Sequence, residues 1–298
     1  MSAPAPVATL VASIAFAGAA GNRLVGDAFG SRDARPVLLL HGGGQTRHAW
    51  RRTATELAGA GWRAYCLDQR GHGDSAWLAD GRYTFRDFGA DAAAAARALT
   101  AMHGQAPAVI GASLGGIAAL LADGAADDTL FAALVLVDVT PRMDPQGVEK
   151  IQGFMRAHAA EGFATVAEAA DAVAAYLPHR PRPRSLEGLR KNLRQHGDGR
   201  WRWHWDPQFV SGPHSVNTDR DAIEAELIAA ARKLTAPTLL VRGASSELVS
   251  EDLAREFLTL APHADYVDVA GARHMVAGDR NDQFTAAVTT FLARLPSR

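Results

Sequence analysis

"PAVIGASLGG", residues 107–116, joins a short apolar run to a single serine, Ser113, whose neighbours have almost no side chain. Gly111 lies two positions before the serine, and Gly115 and Gly116 follow it. A strand that turns abruptly into a helix needs small residues at these positions, because bulky side chains would clash. The stretch predicts a strand, a tight turn that exposes the Ser113 hydroxyl, and a helix.

Two other local structures also combine glycines with a serine. A serine in a glycine-rich turn can cap a helix, and a glycine-rich loop can bind phosphate. A phosphate loop, however, carries Gly-Lys-Ser/Thr after its glycines, and this stretch does not. The complete Gly-x-Ser-x-Gly pattern, between a strand and a helix, therefore favours a nucleophilic Ser113.

Short apolar runs that stop at glycine or polar residues recur along the chain, as expected for strands buried on both faces of a parallel sheet. Helical patterns at 86–101, 114–123 and 281–295 lie between or after them, which predicts an α/β fold with a doubly wound, mostly parallel sheet. Its ligand crevice lies at the carboxyl ends of the strands. Before these runs, a pair of strands around Gly21-Asn22 is predicted. The runs are RPVLLLHGGG, WRAYCLDQRG, PAVIGAS, FAALVLVDVTP, PTLLVRGAS and VDVAGARH.

The alternation of strands and helices stops between about residues 144 and 232, where helical patterns follow one another without a convincing strand. We interpret 144–232 as a helical lid, or cap, inserted over the crevice of an α/β core made of residues 1–143 and 233–298. The expected helices of the lid are 145–160, 165–176, 185–196 and 219–232.

Composition limits the classes of function. The chain has 298 residues, 48% of them hydrophobic, which suits one large α/β domain with an insertion. Lys and Arg total 31 against 32 Asp and Glu, which gives a net charge of −1. Such a chain has no overall positive charge that would attract nucleic acid or an anionic membrane. Cys66 is the only cysteine, and no Cys/His pair has zinc spacing. We expect no metal, no cofactor, and neither a nucleic-acid nor a membrane partner; a homo-oligomer is left open.

The start of the chain contains an apolar run that ends in Ala17-Gly18-Ala19 and imitates a secretory signal peptide. No basic residue precedes Arg23, whereas a signal peptide begins with a positively charged region. We therefore expect a cytoplasmic protein, with secretion as the alternative. No stretch is long and apolar enough to span a bilayer.

A nucleophilic serine needs a base, usually a histidine held by a carboxylate. His274, in AGARHMVAGD, follows the last strand pattern and comes late in the chain, as the order serine, acid, histidine requires. His41 and His72 lie near the same rim, but both precede the serine. His274 is the predicted base.

Two carboxylates are candidates for the acid that holds this histidine. Glu247, in VRGASSELVS, follows the penultimate core strand, where the chain order places the acid, and is the first choice. Asp138, in LVLVDVTP, also ends a strand and is the alternative. Each has a structural interpretation too, Glu247 as a solvated loop residue and Asp138 as a helix cap.

The reacting carbonyl needs amide donors where its oxygen becomes negative. HGGG, residues 41–44, lets the backbone approach a ligand closely. The N–H groups of Gly43 and of Leu114, directly after the nucleophile, are the predicted oxyanion hole.

These motifs resemble those of a known family. HGGG, DQRGHGDS, GASLGG, a carboxylate after LLVRG, and GARHM stand in the order and spacing of the α/β-hydrolase superfamily, over nearly the whole chain. The chain most resembles bacterial serine esterases and the cofactor-free haloperoxidases. The resemblance implies Ser113 as nucleophile, His274 as base and Glu247 as acid, although the family usually has aspartate in place of Glu247. Related epoxide hydrolases and haloalkane dehalogenases use an aspartate nucleophile where this chain has Ser113.

The lid carries a basic, aromatic segment from His179 to His204, with eight Lys or Arg against two acidic residues. Such a segment could steer an anionic substrate, but charge runs are more often solvated faces. Trp203 and Trp205 are candidates for an apolar substrate pocket, although their alternation with Trp201 equally suits the packed face of an extended segment.

Together these residues predict a lidded serine hydrolase that cleaves small to medium carboxylic esters or lactones through an acyl-enzyme on Ser113. The same triad can serve C–C bond hydrolysis or perhydrolysis, and the same fold can serve as a small-molecule receptor without catalysis.

Overall fold

The apolar runs form the strands of a central sheet in the computed structural model, which describes residues 11–180 and 185–296. Eight of the strands found in these ranges pair in the order β1-β2-β4-β3-β5-β6-β9-β10, and the other two pair separately. In chain order they are β1 (Val11–Ala17), β2 (Arg23–Phe29), β3 (Arg35–Leu40), β4 (Trp62–Leu67), β5 (Ala108–Ala112), β6 (Ala133–Val137), β7 (Leu193–Gln195), β8 (Trp201–Trp203), β9 (Thr238–Gly243) and β10 (Asp265–Val269).

The large sheet is parallel from β4 to β10, and β2 and β1 extend it antiparallel at one edge. β1 pairs with β2 from Val11↔Phe29 to Ala17↔Arg23, so the predicted N-terminal hairpin is confirmed. The first ten residues of the signal-like start lie outside the described residues. The predicted doubly wound, mostly parallel α/β sheet is confirmed as well.

Helices cover both faces of the sheet. Alternate residues of β3 face opposite sides, with Leu38 in one apolar core and Leu39 in the other. α2, α3, α8 and α9 pack on the first core, and α1 and α11 on the second. The helices are α1 (Arg51–Gly59), α2 (Phe85–His103), α3 (Leu114–Gly124), α4 (Pro145–Ala157), α5 (Val166–Tyr176), α6 (Glu187–Arg190), α7 (Gln208–Ser211), α8 (Arg220–Lys233), α9 (Glu251–Leu260), α10 (Val276–Asp279) and α11 (Asn281–Ala293).

None of the helices in the described ranges has the length and apolar character that crossing a bilayer requires.

The predicted lid contains α4, α5, α6, α7 and α8, and also a β-hairpin that the sequence reasoning missed. The prediction of a helix over 185–196 is wrong: α6 is one turn, and β7 then pairs with β8. The hairpin closes at Asp198-Gly199, where Gly199 has a φ of 80° and the Asp198 side chain accepts the N–H of Arg200. Pairing with the next strand, β8, thus overrides the local helical pattern.

The end of the predicted lid belongs to the core layer. α8 packs against α3 so closely that a Cβ on Gly124 would lie 2.4 Å from the Cβ of Ala230. The domain limit at residue 232 remains our interpretation. Because α8 packs on α3, the segment that covers the carboxyl ends of the strands stops before α8. We use the name cap for residues 144–219.

Backbone pairing fixes the cap to the loop that follows β4. Trp205 forms a β-bridge with His72, and Gly73 N–H donates to the carbonyl of His204 at 2.8 Å. On the other side of the bridge, Asp206 N–H donates to the Gly71 carbonyl at 2.8 Å. The cap therefore continues the backbone hydrogen bonding of the core at this side.

The turn between β5 and α3 has no room for side chains. A Cβ on Gly115 would lie 2.3 Å from the carbonyl oxygen of Leu40, and a Cβ on Gly111 would lie 2.4 Å from the carbonyl oxygen of Gly115. Real Cβ atoms do not approach oxygen atoms this closely. The glycines are present because the first turn of α3 packs directly on the backbone of β3.

Two buried histidines hold the loops that follow β3 and β4. His41 Nε2 accepts the N–H of Gln69 at 3.1 Å, and its Nδ1 lies 2.8 Å from the next carbonyl oxygen. His72 Nε2 accepts the N–H of Gly44 at 3.1 Å, and its Nδ1 lies 2.9 Å from a carbonyl oxygen two residues earlier. Burial lowers the pKa of His41 to about 4 and the pKa of His72 to about 3. Both rings are neutral at pH 7, with both nitrogens engaged by the backbone.

Gly115→Ala should lower the free energy of unfolding by about 3 kcal/mol or more, because the new methyl group must displace the backbone of β3. Gly153→Ala in α4 is the matched control, since a Cβ there meets nothing within 4 Å; it should raise stability by about 0.5–1 kcal/mol. Urea unfolding followed by circular dichroism measures both. Equal unfolding midpoints for Gly115→Ala and the parent would contradict the close packing of α3 on β3.

His41 and His72 should make the fold sensitive to acid. Because their pKa values in the folded chain lie below the ordinary value of 6.5, the unfolded chain binds more protons once the pH falls below 6.5, and stability decreases toward pH 4. Each histidine accounts for roughly 3 kcal/mol of this loss. His72→Gln should therefore flatten the fall in melting temperature between pH 6.5 and 4, whereas substitution of the exposed His214 should not.

Candidate active site

Ser113 lies at the tight turn after β5, in a conformation that few residues other than glycine adopt. Its φ is 47° and its ψ is −113°, and its backbone N–H donates to the carbonyl of Val137 at 3.1 Å. The Ser113 carbonyl accepts the first hydrogen bonds of α3, but its side chain caps nothing. The helix-cap interpretation therefore fails, and the hydroxyl is left partly exposed at the carboxyl edge of the sheet.

Asp138 is the residue after β6, beside Ser113 on the neighbouring strand. Ala112 and Val137 are partners in the parallel register, so the next residue of each strand, Ser113 and Asp138, emerge side by side. Adjacent strands are about 4.8 Å apart. Asp138 also has a positive φ, of 50°, and its side chain is completely buried.

His274 is bound to Asp138. Its Nδ1 lies 2.8 Å from Asp138 Oδ2. A carboxylate can only accept, so this contact requires a proton on Nδ1 and leaves Nε2 directed away from Asp138. Within residues 11–180 and 185–296, nothing hydrogen-bonds to this Nε2. The ring is 19% exposed, so a reactant can reach it.

The first choice for the acid, Glu247, does not contact His274. Its carboxylate lies 2.9 Å from Arg273 Nη1 and 3.6 Å from Lys150 Nζ. Burial opposes ionisation of Glu247, but the hydrogen bond from Arg273, a backbone hydrogen bond and the charges of Arg273 and Lys150 together outweigh it and hold the pKa of this carboxyl below its ordinary value. The alternative, Asp138, is the carboxylate that the structure brings to the imidazole.

The backbone N–H groups of Gly43 and Leu114, the predicted pair, lack acceptors among the described residues. The neighbours of Gly43 are engaged, since Gly42 N–H donates to Gln45 Oε1 and Gly44 N–H to His72 Nε2, both at 3.1 Å. A Cβ on Gly42 would lie 3.6 Å from the Cβ of Ser113, so this loop is adjacent to the serine.

The predicted pocket residues Trp203 and Trp205 are both buried. Trp203 packs edge-on against Phe163, with ring centroids 5.2 Å apart, inside the cap. Trp205 lies over the loop after β3, where its Nε1 would be 3.6 Å from a Cβ on Gly44. Trp203 thus belongs to the packed interior of the cap, and Trp205 to the apolar cover of the HGGG loop.

The open space of the site lies instead beside His274. A cavity of about 70 Å³ lies between the cap and the loops that carry Glu247 and His274. No sequence pattern indicates its apolar wall, because those residues come from four separate segments of the chain. The cavity is lined by Gly147, Lys150, Ile151, Tyr176, Leu177, Pro178, His179, Glu247, Leu248, Arg273, His274, Met275 and Asp279.

The basic segment of the cap is largely occupied by contacts within the protein. Arg200 donates to the carbonyls of Glu161 and Gly162, and Arg202 forms an ion pair with Asp198 at 2.7 Å. Residues 181–184, which include Arg182 and Arg184 of the RPRPR connection, lie outside the described residues, whereas Arg180 at its start forms an ion pair with Asp279. The part of the chain that the structure describes holds no group of three or more His, Cys, Asp or Glu residues arranged to bind a metal.

Comparison with known proteins agrees with this architecture. Residues 35–280 match the family model of the α/β-hydrolase fold. The esterase Rv0045c of Mycobacterium tuberculosis is 32% identical over 250 residues, which are 82% of this chain and 78% of the esterase. The 2-(acetamidomethylene)succinate hydrolase of Mesorhizobium japonicum is 29% identical over 229 residues, 76% of this chain and 77% of that enzyme.

Solved structures extend the likeness to three dimensions. The crystal structure of the Mycobacterium tuberculosis esterase superposes with a TM-score of 0.73 at 29% identity, covering 96% of this chain and 92% of the esterase. An α/β hydrolase from Novosphingobium aromaticivorans gives a TM-score of 0.78 at 28% identity over 95% of this chain and 98% of its own. With most of its length matched in both sequence and structure, the chain belongs to the α/β-hydrolase family and is a hydrolase of this fold.

Proposed function

We propose that this hydrolase cleaves carboxylic esters or lactones through an acyl-enzyme on Ser113. One observation carries the proposal: the strand next to Ser113 ends in a buried aspartate that holds His274 through Nδ1 and leaves Nε2 free. A hydroxyl at one strand end, and an imidazole with a free nitrogen held by the aspartate of the next strand, are the groups that nucleophilic catalysis needs. A receptor would need neither.

In the first half of the reaction, His274 Nε2 takes the proton of the Ser113 hydroxyl as Oγ bonds to the substrate carbonyl carbon. The carbonyl electron pair moves onto oxygen, which the N–H groups of Gly43 and Leu114 receive. One such donor is commonly worth about 2.7–4 kcal/mol of transition-state stabilisation. When the intermediate collapses, the ester bond breaks and His274 returns the proton to the departing alcohol.

The second half repeats these steps with water. His274 Nε2 removes a proton from water, the hydroxide adds to the acyl carbon, and the bond to Ser113 Oγ breaks. Oγ recovers the proton and the carboxylic acid leaves. Through both halves Asp138 stabilises the imidazolium and keeps the ring oriented, the role that the sequence analysis assigned first to Glu247.

The cavity beside His274 supports a substrate with a small apolar group. Ile151, Leu177 and Met275 give the cavity an apolar wall, and Glu247 offsets part of the positive charge of Arg273 and Lys150 at its rim. The related Mycobacterium tuberculosis protein is named an esterase, and this name supports an ester substrate. A p-nitrophenyl ester of a short fatty acid and a small lactone are therefore the substrates of choice for the tests.

A fluorophosphonate probe should label the folded protein rapidly at Ser113, because the activated Oγ attacks phosphorus and the N–H pair receives the phosphoryl oxygen. Ser113→Ala should lose the label and all measurable esterase activity while keeping the melting temperature of the parent within a few degrees. Mass spectrometry of the labelled peptide identifies the site. Folded parent protein that resists the probe and hydrolyses no ester would point to a receptor.

Asp138→Asn and Glu247→Gln form a matched pair of isosteric variants that separates the two candidate acids. Asp138→Asn should reduce kcat on the p-nitrophenyl ester about 10³- to 10⁴-fold, because the amide no longer stabilises the imidazolium and favours the wrong tautomer. Glu247→Gln should stay within about fivefold of the parent, since its loss only breaks exposed ion pairs. The opposite ranking would restore Glu247 as the acid.

A further inference from the structure

Ser246 lies in the loop after β9 and shares one oxygen of Asp138 with His274. Its Oγ is 2.6 Å from Asp138 Oδ2, the same oxygen that accepts His274 Nδ1–H at 2.8 Å. The other oxygen, Oδ1, accepts the backbone N–H of Gly243 at 3.0 Å. The buried carboxylate is thus held at both oxygens by the end of β9 and the loop that follows it.

The hydroxyl of Ser246 has only one direction in which to donate. Its Oγ accepts the backbone N–H groups of Leu248 at 3.0 Å and Val249 at 3.1 Å. A hydroxyl has two lone pairs and one hydrogen, so with both lone pairs occupied the hydrogen points to Asp138. Donors that bond to a hydroxyl oxygen also strengthen the hydrogen bond that the hydroxyl itself donates.

We propose that Ser246 is a positioning residue of the Ser113 hydrolase: its hydroxyl orients the Asp138 carboxylate and limits how tightly that carboxylate holds a protonated His274. The proposal rests on the proposed function, in which His274 is the base. Ser246 does not line the cavity beside His274, so its action passes through Asp138.

The Ser246 hydroxyl affects both the uptake of the Ser113 proton by His274 and its release to the departing alcohol. It draws negative charge from Oδ2, which weakens the attraction between the carboxylate and the imidazolium that forms after Ser113 gives up its proton. A less tightly held proton passes more readily to the departing alcohol. Without the hydroxyl, the imidazolium persists to higher pH, and Asp138 loses one of the contacts that fix its orientation.

Ser246→Ala tests these consequences in the full chain, with kcat, KM and kcat/KM measured on a p-nitrophenyl ester from pH 4.5 to 9. We expect kcat to fall about tenfold through lost orientation, and KM to stay within about twofold. The midpoint of the acid limb of kcat/KM should move upward by about half a pH unit. Ser246→Thr, which keeps the hydroxyl, should restore the midpoint, and Ser245→Ala, at the exposed neighbour, should match the parent.

Loss of the serine also removes the acceptor for the N–H groups of Leu248 and Val249, and a loosened loop alone could slow the enzyme. A loosened loop does not move the pH midpoint, so an unchanged midpoint in Ser246→Ala overturns the proposal whatever happens to kcat. If Ser246→Ala does not fold, Ser246→Cys replaces it, because a thiol is a weaker donor and should shift the midpoint in the same direction by less. Rapid fluorophosphonate labelling of Ser113 in the variant separates failure of this proposal from failure of the proposed function.

Discussion

The first turn of α3 packs against the end of β3 with no side chain between them, and the rest of the site depends on this contact. A Cβ on Gly115 would lie 2.3 Å from the carbonyl oxygen of Leu40. Such an approach forces the chain to leave β5 abruptly, which puts Ser113 in the left-handed region and turns its hydroxyl out of the sheet. The same contact brings α3 to the loop after β3, where a Cβ on Gly42 would lie 3.6 Å from the Cβ of Ser113. Helix packing, the strained turn at Ser113 and the position of the HGGG loop beside it thus follow from one steric constraint.

Ser113 and Asp138 both have a positive φ, which is an unfavourable backbone conformation for a non-glycine residue. Each such residue lowers the stability of the fold by about 1–3 kcal/mol. Each residue is held by bonds to the neighbouring strand: Ser113 N–H to the Val137 carbonyl, and Asp138 N–H to the Val241 carbonyl at 2.7 Å. The parallel strands therefore hold the site residues as well as bringing them to one edge of the sheet. Each strand binds the backbone of the residue that follows its neighbour. Ser113, Asp138 and the loop of Ser246 consequently form a row across the adjacent strands β5, β6 and β9.

Most of this arrangement could be predicted from the sequence, because it depends on local chemistry. The glycines around Ser113 predict the turn, and the apolar runs predict the parallel sheet that has been found. The choice between Glu247 and Asp138 could not be made in this way, since both follow core strands and both lie between Ser113 and His274 in the chain. It depends on side-chain direction: after β9 it is Ser246 that faces Asp138, while Glu247 points to Arg273. The hairpin of β7 and β8 was not predicted because β7 lies within a helical pattern. The alternation of Trp201 and Trp203 suits an extended segment, but it does not identify β7 as the partner strand.

The cap explains why the open part of the site lies on the His274 side. Over the HGGG loop the cap is already packed: a Cβ on Gly43 would lie 3.2 Å from the ring of Phe209, and Trp205 is bridged to the core through His72. On the opposite side the cap meets the core through charged and backbone groups. Arg180 Nε donates to Asp279 at 2.6 Å, Asp144 N–H donates to the Leu248 carbonyl at 2.9 Å, and Lys150 lies 3.6 Å from Glu247. Exposed ion pairs contribute about 0–1 kcal/mol each, so the half-exposed Lys150–Glu247 pair adds little to this seam. Polar contacts at the edge of the seam leave space beside His274, whereas the aromatic side chains over the HGGG loop fill it.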